Sequence, residues 1–405
     1  MNNEKIFQAA LQLSPPWCVT KTWFEQDKGK IIAFHIEIGY DKTYEFTPNG
    51  KVHDTKEKVW RHLNIFEHKC YVHCKVPRIK DQNGQVRMVQ VPWARSGSGF
   101  TLLFEAFLIA LVEGEMPVIR AAALLKEYPQ RLWNIIKYWV RIAFQKKDLS
   151  DLQQIGIDET STKKGHQYVT VVADIQKRRV IFATPGKDAQ TVDRLKEHLK
   201  NKGVEADQIS DICMDMSPAF ISGIMKNFSN TRITFDKFHV VKLLNEALDA
   251  YRKLELREHE SLRWHKYTLL KSEKKLSSAQ KRERESLLTL LPRVGEAYRL
   301  KLLFNDFWDF KEKEQAGGFL MYWCDLAESH GSIVFRKLAQ TIKGHWSGIL
   351  NYVESQIANG ILEGINNKIQ LAKRRARGYQ NIDNFINMIY LIAGDLEFDF
   401  PHNFI

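Results

Sequence analysis

Two carboxylates in this chain stand where phosphoryl chemistry would need them. Asp158 closes the run "IGID" and Asp215 closes "ICMD". Each is an apolar, strand-like stretch that ends in an acid and passes into small polar residues. Groups at strand ends in an α/β sheet converge on a shared crevice. Two aspartates placed there repel each other, and a shared divalent cation relieves that repulsion. Such a pair, joined by a further acid, suits two-metal chemistry, in which one ion activates the attacking oxygen and the other steadies the leaving oxygen. Hard oxygen ligands select Mg²⁺, with Mn²⁺ as its substitute.

The further acid is Glu363, alone in "NGILEGINNKIQLAKRRARGY" ahead of Lys368, Lys373, Arg374, Arg375 and Arg377. At helical spacing Asn359, Asn366 and Asn367 share its face. A face of amides around one carboxylate suits a ligand held in place by hydrogen bonds. In "FDKFH", Asp236 and His239 lie three apart at a helix start, within reach of a phosphate or of groups around a metal. Each residue also has a plainer reading. A strand-end aspartate can form a turn, Asp236 can cap a helix, and the Glu363 face can be open surface. Asp211 rivals Asp215 but begins its strand rather than ending it, and strand alternation sends Glu159 to the face opposite Asp158.

Elements must exist to position these groups. "LQQIGIDET" reads as a strand, and "HQYVTVVADIQKRRVIFATPG" as two more. "KDAQTVDRLKEHLKNKG" is a helix, "ISDICMDMS" a buried strand, "PAFISGIMKNF" a helix, "TRITFDKFHVV" a strand and "KLLNEALDAYRKL" a helix. Three meandering strands followed by two α/β units outline a ribonuclease-H-like core. Residues 256–345 are helical and charged, with "KSEKKLSSAQKRERESL" as a solvated connector and most aromatics in a core. Trp346, in "GHWSG", is the best exception to that rule. One helix is then expected over roughly 346–377.

The first 95 residues read as short strands and turns, including "YEFTPNGKV" and a strand pair around "KDQNGQ". "RSGSGF" is hinge-like, and three short helices follow it. The third, "PQRLWNIIKYWVRIAFQKK", presents Arg131, Lys137 and Arg141, as a helix-turn-helix would toward DNA. The formal net charge of +12 and pI near 9.3 fit a polyanionic partner. Five cysteines form no regular framework, which suits a reducing compartment. "MNNEKIFQAALQLSPPW" does not read as a secretion signal, and no apolar run is long enough for a membrane span. A soluble cytoplasmic, nucleoid-associated protein is expected.

Taken together, "IGIDET", "CMDMSPAF", "TFDKFHVVKLLNEALD" and "NGILEGINNKIQLAKRRARGY" resemble the DDE transposases of bacterial insertion sequences, nearest to the ISL3 family. "RHLNIFEHKCYVHCKVPR" and "VPWARSGSGFTLLFEA" resemble its N-terminal half. The resemblance implies an α/β multidomain chain. It has a β-rich, degenerate zinc-ribbon-like module (1–95), a helix-turn-helix (96–148), a ribonuclease-H-like core (149–255 and 346–405) and a helical insertion (256–345). It implies Asp158, Asp215 and Glu363 as the catalytic, metal-holding triad and Asp236–His239 as the family's Asp-x-x-His pair.

It also implies Mg²⁺-dependent cleavage and strand transfer on the terminal inverted repeats, target DNA as second partner, and a homodimer or larger assembly on DNA. The basic block after Glu363 would hold phosphates. Zinc is not expected: Cys18 stands alone, and alternation parts Cys70 and Cys74 from His73. Trp17, Trp23 and Phe34 are expected to stabilise the module in its place. The alternatives are a structure-selective nuclease of the same fold, such as a junction resolvase, and a catalytically idle DNA-binding regulator.

Overall fold

The computed structural model describes residues 3–47, 52–80, 84–162, 167–271, 275–357 and 360–400. The turns expected in "TPNG" and "KDQN" and the side chain of Asn359 lie outside these residues. The chain divides into two compact units: 1–146 with 372–377 and 396–405, and 147–371 with 378–395.

The first unit opens with α1 (Asn3–Ala10), followed by β1 (Trp17–Asp27), β2 (Lys30–Tyr40), β3 (Val52–Ile65), β4 (His68–Lys80) and β5 (Val86–Met88). These strands form one sheet in the order β1-β2-β4-β3, with β5 on β4. One face carries Trp17, Phe34, Ile36, Trp60, Cys70, Val72 and Cys74 into an apolar core. Burial pushes the Cys70 and Cys74 thiols up to about 12, so both behave as neutral core groups. Trp23 is not in that core. It stacks on His35, ring centroids 4.9 Å apart, on the other face, because an irregularity between Val19 and Lys21 shifts the alternation of β1 and takes Trp23 out of phase with Val19.

Helices α2 (Leu102–Glu113), α3 (Val118–Leu125) and α4 (Pro129–Lys146) complete the unit. Thr101 caps α2, and Lys126 in the left-handed region ends α3 and turns the chain into α4. The expected hinge "RSGSGF" is anchored instead. Glu105 of α2 is fully buried and accepts from Arg95 Nε (2.8 Å), Ser98 Oγ (2.5 Å) and Trp139 Nε1 (2.7 Å). Arg61, 1% exposed, donates from β3 to the Leu125 carbonyl (2.9 Å) and the Glu127 carboxylate (3.2 Å). A buried charge needs such partners, so the sheet and the helices are locked together.

The second unit opens with β6 (Gln154–Ser161), β7 (Tyr168–Asp174) and β8 (Arg179–Pro185), then α5 (Ala189–Asn201), β9 (Asp211–Met214), α6 (Pro218–Asn227), β10 (Arg232–Phe235) and α7 (Lys237–Glu255). The sheet order is β10-β9-β6-β7-β8, with β6, β7 and β8 an antiparallel meander and β9 and β10 parallel to β6. Ile155, Ile157, Ile212 and Met214 face a core shared with α5, α6 and α7.

Helical residues follow as α8 (Lys266–Leu270), α9 (Ser278–Leu290), α10 (Pro292–Leu303), α11 (Lys313–Ser329) and α12 (Ile333–Gly344). The charged "KSEKKLSSAQKRERESL" is more than a connector. Ser277 and Gln280 form a capping box that starts α9, and buried Arg284 bonds the Tyr298 hydroxyl at 2.7 Å. Trp308 and Trp323 are core residues, as expected. Trp346 also packs against the core, and the exposed indole of this region is Trp264, at 82%.

The helix expected over 346–377 is two helices, α13 (Trp346–Ser355) and α14 (Gly360–Arg375). Gln356 adopts φ 47° and ends α13. A left-handed residue stops a right-handed helix, and nothing in the local pattern of apolar residues announces it. The chain closes with α15 (Ile382–Ala393). Among the described residues no helix is long and apolar enough to cross a membrane.

Candidate active site and nucleic-acid interface

The register of the second sheet aligns three acids. β6 pairs with β9 as Gln154–Asp211, Ile155–Ile212 and Gly156–Cys213. β10 pairs with β9 from Arg232–Asp211 to Phe235–Met214. The Asp236 N–H donates to the Met214 carbonyl at 2.9 Å and extends that ladder by one residue. Continued to the strand ends, the count sets Asp158, Asp215 and Asp236 in one row across three neighbouring strands, which in a sheet are spaced at about 4.8 Å. The row lies at the carboxyl edge, where α/β sheets place ligands. Asp211 begins β9 at the opposite edge, buried and paired to Arg232 Nε at 2.6 Å.

α14 lies along β6. A Cβ on Gly156 would meet Leu362 Cδ1 at 2.5 Å, so only glycine lets the helix approach this closely. Four residues on, Asn366 Nδ2 donates to Asp158 Oδ2. Four further, Gln370 Nε2 donates to Thr160 Oγ1 at 2.9 Å. Four helical residues rise about 6 Å, close to the advance of two strand residues, so the two elements stay in step over three contacts. Asn366 therefore serves Asp158 directly. Glu363 is exposed in the first turn of α14, and Asn367 is exposed as well. Sequence reasoning missed Gly156 and Gln370, because a strand–helix register is invisible in either segment alone.

The electrostatics tie the row together. Burial pushes the Asp158 carboxyl up and Asp236 adds to this, while the Glu159 N–H, His239 and Asn366 pull it back. Asp236 accepts from the Phe238 N–H (2.8 Å) as an N-cap, and it also accepts from His239 Nδ1 (2.8 Å). That hydrogen bond, with the charges of Asp236, Asp158 and Asp215, holds the His239 imidazole above its usual range. Glu159 was set aside on alternation, yet burial and the charges of Asp215 and Asp158 push it up to about 6. Contrary to expectation, Asp158 does not end its strand: β6 runs on to Ser161 paired with β7, but its pairing with β9 stops at Gly156–Cys213, so on that side no neighbouring strand separates the two faces.

Among the described residues no three acidic, histidine or cysteine side chains converge closely enough to hold an ion. The donor set nevertheless suits a hard dication. It consists of carboxylate oxygens, Asp158 and Glu159 are pushed up by burial and by neighbouring acids, and added positive charge would relieve both.

The expected DNA contacts fare differently from one another. On α4, Arg141 is exposed and Lys137 half-exposed, but Arg131 is engaged by Glu127 at 2.7 Å and lies 4.4 Å over the Phe100 ring. Beyond Glu363, Lys368, Arg374 and Arg377 are exposed and Lys373 is half-buried. Arg375 is ion-paired to Glu115, in the first unit.

Two family models match this chain: a transposase model over residues 155–389, and the helix-turn-helix domain of transposase family ISL3 over residues 89–140. The chain is 28% identical to the transposase for insertion sequence element IS1001 of Bordetella parapertussis, over 83% of this chain and 84% of that protein. It is 25% identical to the transposase for insertion sequence element IS1557 of Mycobacterium tuberculosis, over 83% of this chain and 81% of that one. α3 and the first two-thirds of α4 fall inside the helix-turn-helix match, and the row of acids and α14 fall inside the transposase match: the chain belongs to the ISL3 family of insertion-sequence transposases.

Proposed function

We propose that the protein binds the terminal inverted repeats of its element and catalyses Mg²⁺-dependent strand cleavage and strand transfer on a ribonuclease-H-like sheet. The observation that carries this reading is the in-register row of acids at the carboxyl edge, with α14 docked beside it. Asp158 and Asp215 hold the metal, and Glu363 supplies the third carboxylate from α14. Bound Mg²⁺, or Mn²⁺ in its place, supplies activation of the attacking oxygen and stabilisation of the leaving oxygen.

The chain's own groups do the rest. Asn366 fixes one oxygen of Asp158 and leaves the carboxylate's remaining lone pairs for a cation. Asp236 keeps His239 oriented and biased toward its charged form, suited to a phosphate oxygen. Lys368, Arg374 and Arg377 are available to backbone phosphates, and Arg375 must leave Glu115 to join them. Water attacks phosphorus in the first step and the freed 3′-hydroxyl attacks target DNA in the second. Neither step forms a bond to protein. Two ends are joined in one event, so the reaction requires at least a dimer on DNA.

The test is incubation of the purified protein with its element's terminal duplex, target plasmid and Mg²⁺, with products mapped by strand. Joined end–target products are expected, with none when EDTA is present. Asp215→Ala should lose nicking and joining but keep end binding. Nicking that survives in this variant, at the same positions, would remove Asp215 from the site. Cleavage without joining would make the protein a nuclease of this fold.

A further inference from the structure

The exposed edge of α4 is ordered by chemistry. Gln130, Asn134, Lys137 and Arg141 follow one another at spacings of four, three and four, which sets them in a single stripe on a helix of 3.6 residues per turn. The two nearest the N-terminus are amides and the two beyond are cations. Gln130 and Asn134 are exposed, and Gln130 Nε2 donates to Asn134 Oδ1 at 3.4 Å, the outer limit of a hydrogen bond. Breaking so long a bond costs little. Asparagine is also a poor helix former, and inside α4, beyond its first turn, it caps nothing. Arg131 lies off the stripe and is spent on Glu127 and Phe100, where it braces α4 against the turn before it.

In a helix-turn-helix the first turns of the second helix meet base edges, and later positions meet the backbone. An amide side chain matches adenine, donating to N7 and accepting from N6 in the major groove. We infer that Gln130 and Asn134 determine sequence specificity by reading adenine edges, while Lys137 and Arg141 supply phosphate contacts that carry no sequence information. This rests on the reading that the protein binds its element's ends.

The test measures full-length protein by fluorescence anisotropy on the terminal-repeat duplex and on a scrambled duplex of equal composition, over a range of salt. Asn134→Ala and Gln130→Ala place the best helix former at exposed positions, so folding is not at risk. Each should lower the preference for the terminal duplex by about tenfold or more, with an unchanged salt slope and unchanged binding to scrambled DNA. Each should also become indifferent to one 7-deazaadenine substitution that weakens the wild type. Lys137→Ala should weaken both duplexes and reduce the slope by about one.

Full preference retained by both amide variants overturns the inference. So does equal weakening on both duplexes with a smaller slope, which would make the amides non-specific contacts. A wild-type protein with no preference for the terminal duplex overturns the end-binding reading itself, and this inference with it.

Discussion

Gly156→Ala is the sharpest perturbation this structure offers, because it adds one methyl at the contact that seats α14 on β6. The new Cβ would lie 2.5, 2.8 and 2.9 Å from Cδ1, Cγ and Cδ2 of Leu362. Carbon atoms settle at about 3.5–4.0 Å, so roughly 1 Å of separation must be found. Rotating Leu362 cannot find it, since all three outer carbons are too close and the side chain is buried. The helix must therefore move. Overpacking of this kind costs about 1–3 kcal/mol, and replacing a strand glycine by alanine returns about 0.5–1, leaving a net loss of about 0–2.5 kcal/mol.

The functional loss should be larger than the stability loss. The next contact along α14 is Asn366 on Asp158, and a displacement of about 1 Å can cost a hundredfold in rate when it misplaces reacting groups. The assay is strand-mapped nicking of terminal DNA beside a urea midpoint for the same preparation. Leu362→Ala alone should cost about 2–5 kcal/mol by leaving a cavity. In the double variant the new methyl enters that cavity, so Gly156→Ala should become neutral or stabilising. Equal effects of Gly156→Ala with and without Leu362 would refute the close approach as the reason for the glycine.

Asn366→Ala removes the donor to Asp158 and should reduce nicking about tenfold to a hundredfold with end binding intact, as for other groups that orient a metal-holding carboxylate. Arg61→Met leaves the buried Glu127 side chain without one of its two partners and should cost about 3–5 kcal/mol, read from the urea midpoint. His62, bonded to Thr101 at 2.8 Å, is held down to about 4 by burial and by Arg61. The unfolded chain then binds more protons than the folded one between about pH 6.5 and 4, so stability falls as pH drops through that window, by about 2 kcal/mol at pH 5. Comparing His62→Gln with wild type at pH 7 and pH 5 checks this: the pH-dependent part should shrink in the variant.

The amino-acid sequence by itself determined the order of strands and helices in the second unit, Asp215 just past the end of its strand, the capping role of Asp236 and the aromatic core of the helical segment. These are local properties. Period, turn chemistry and the end of an apolar run are all written within a dozen residues. Tertiary structure decided how those segments lie in register. It set Asp236 in one row with Asp158 and Asp215, turned Asn366 from a neighbour of Glu363 into a partner of Asp158, and brought Glu159 back into the field of the site. It also divided the basic residues, engaging Arg131 with Glu127 and Arg375 with Glu115 while Arg141, Arg374 and Arg377 stayed exposed. Arg131 meets Glu127 four residues earlier in the chain, a local spacing, whereas Arg375 meets Glu115 across 260 residues, and only packing says that this carboxylate arrives.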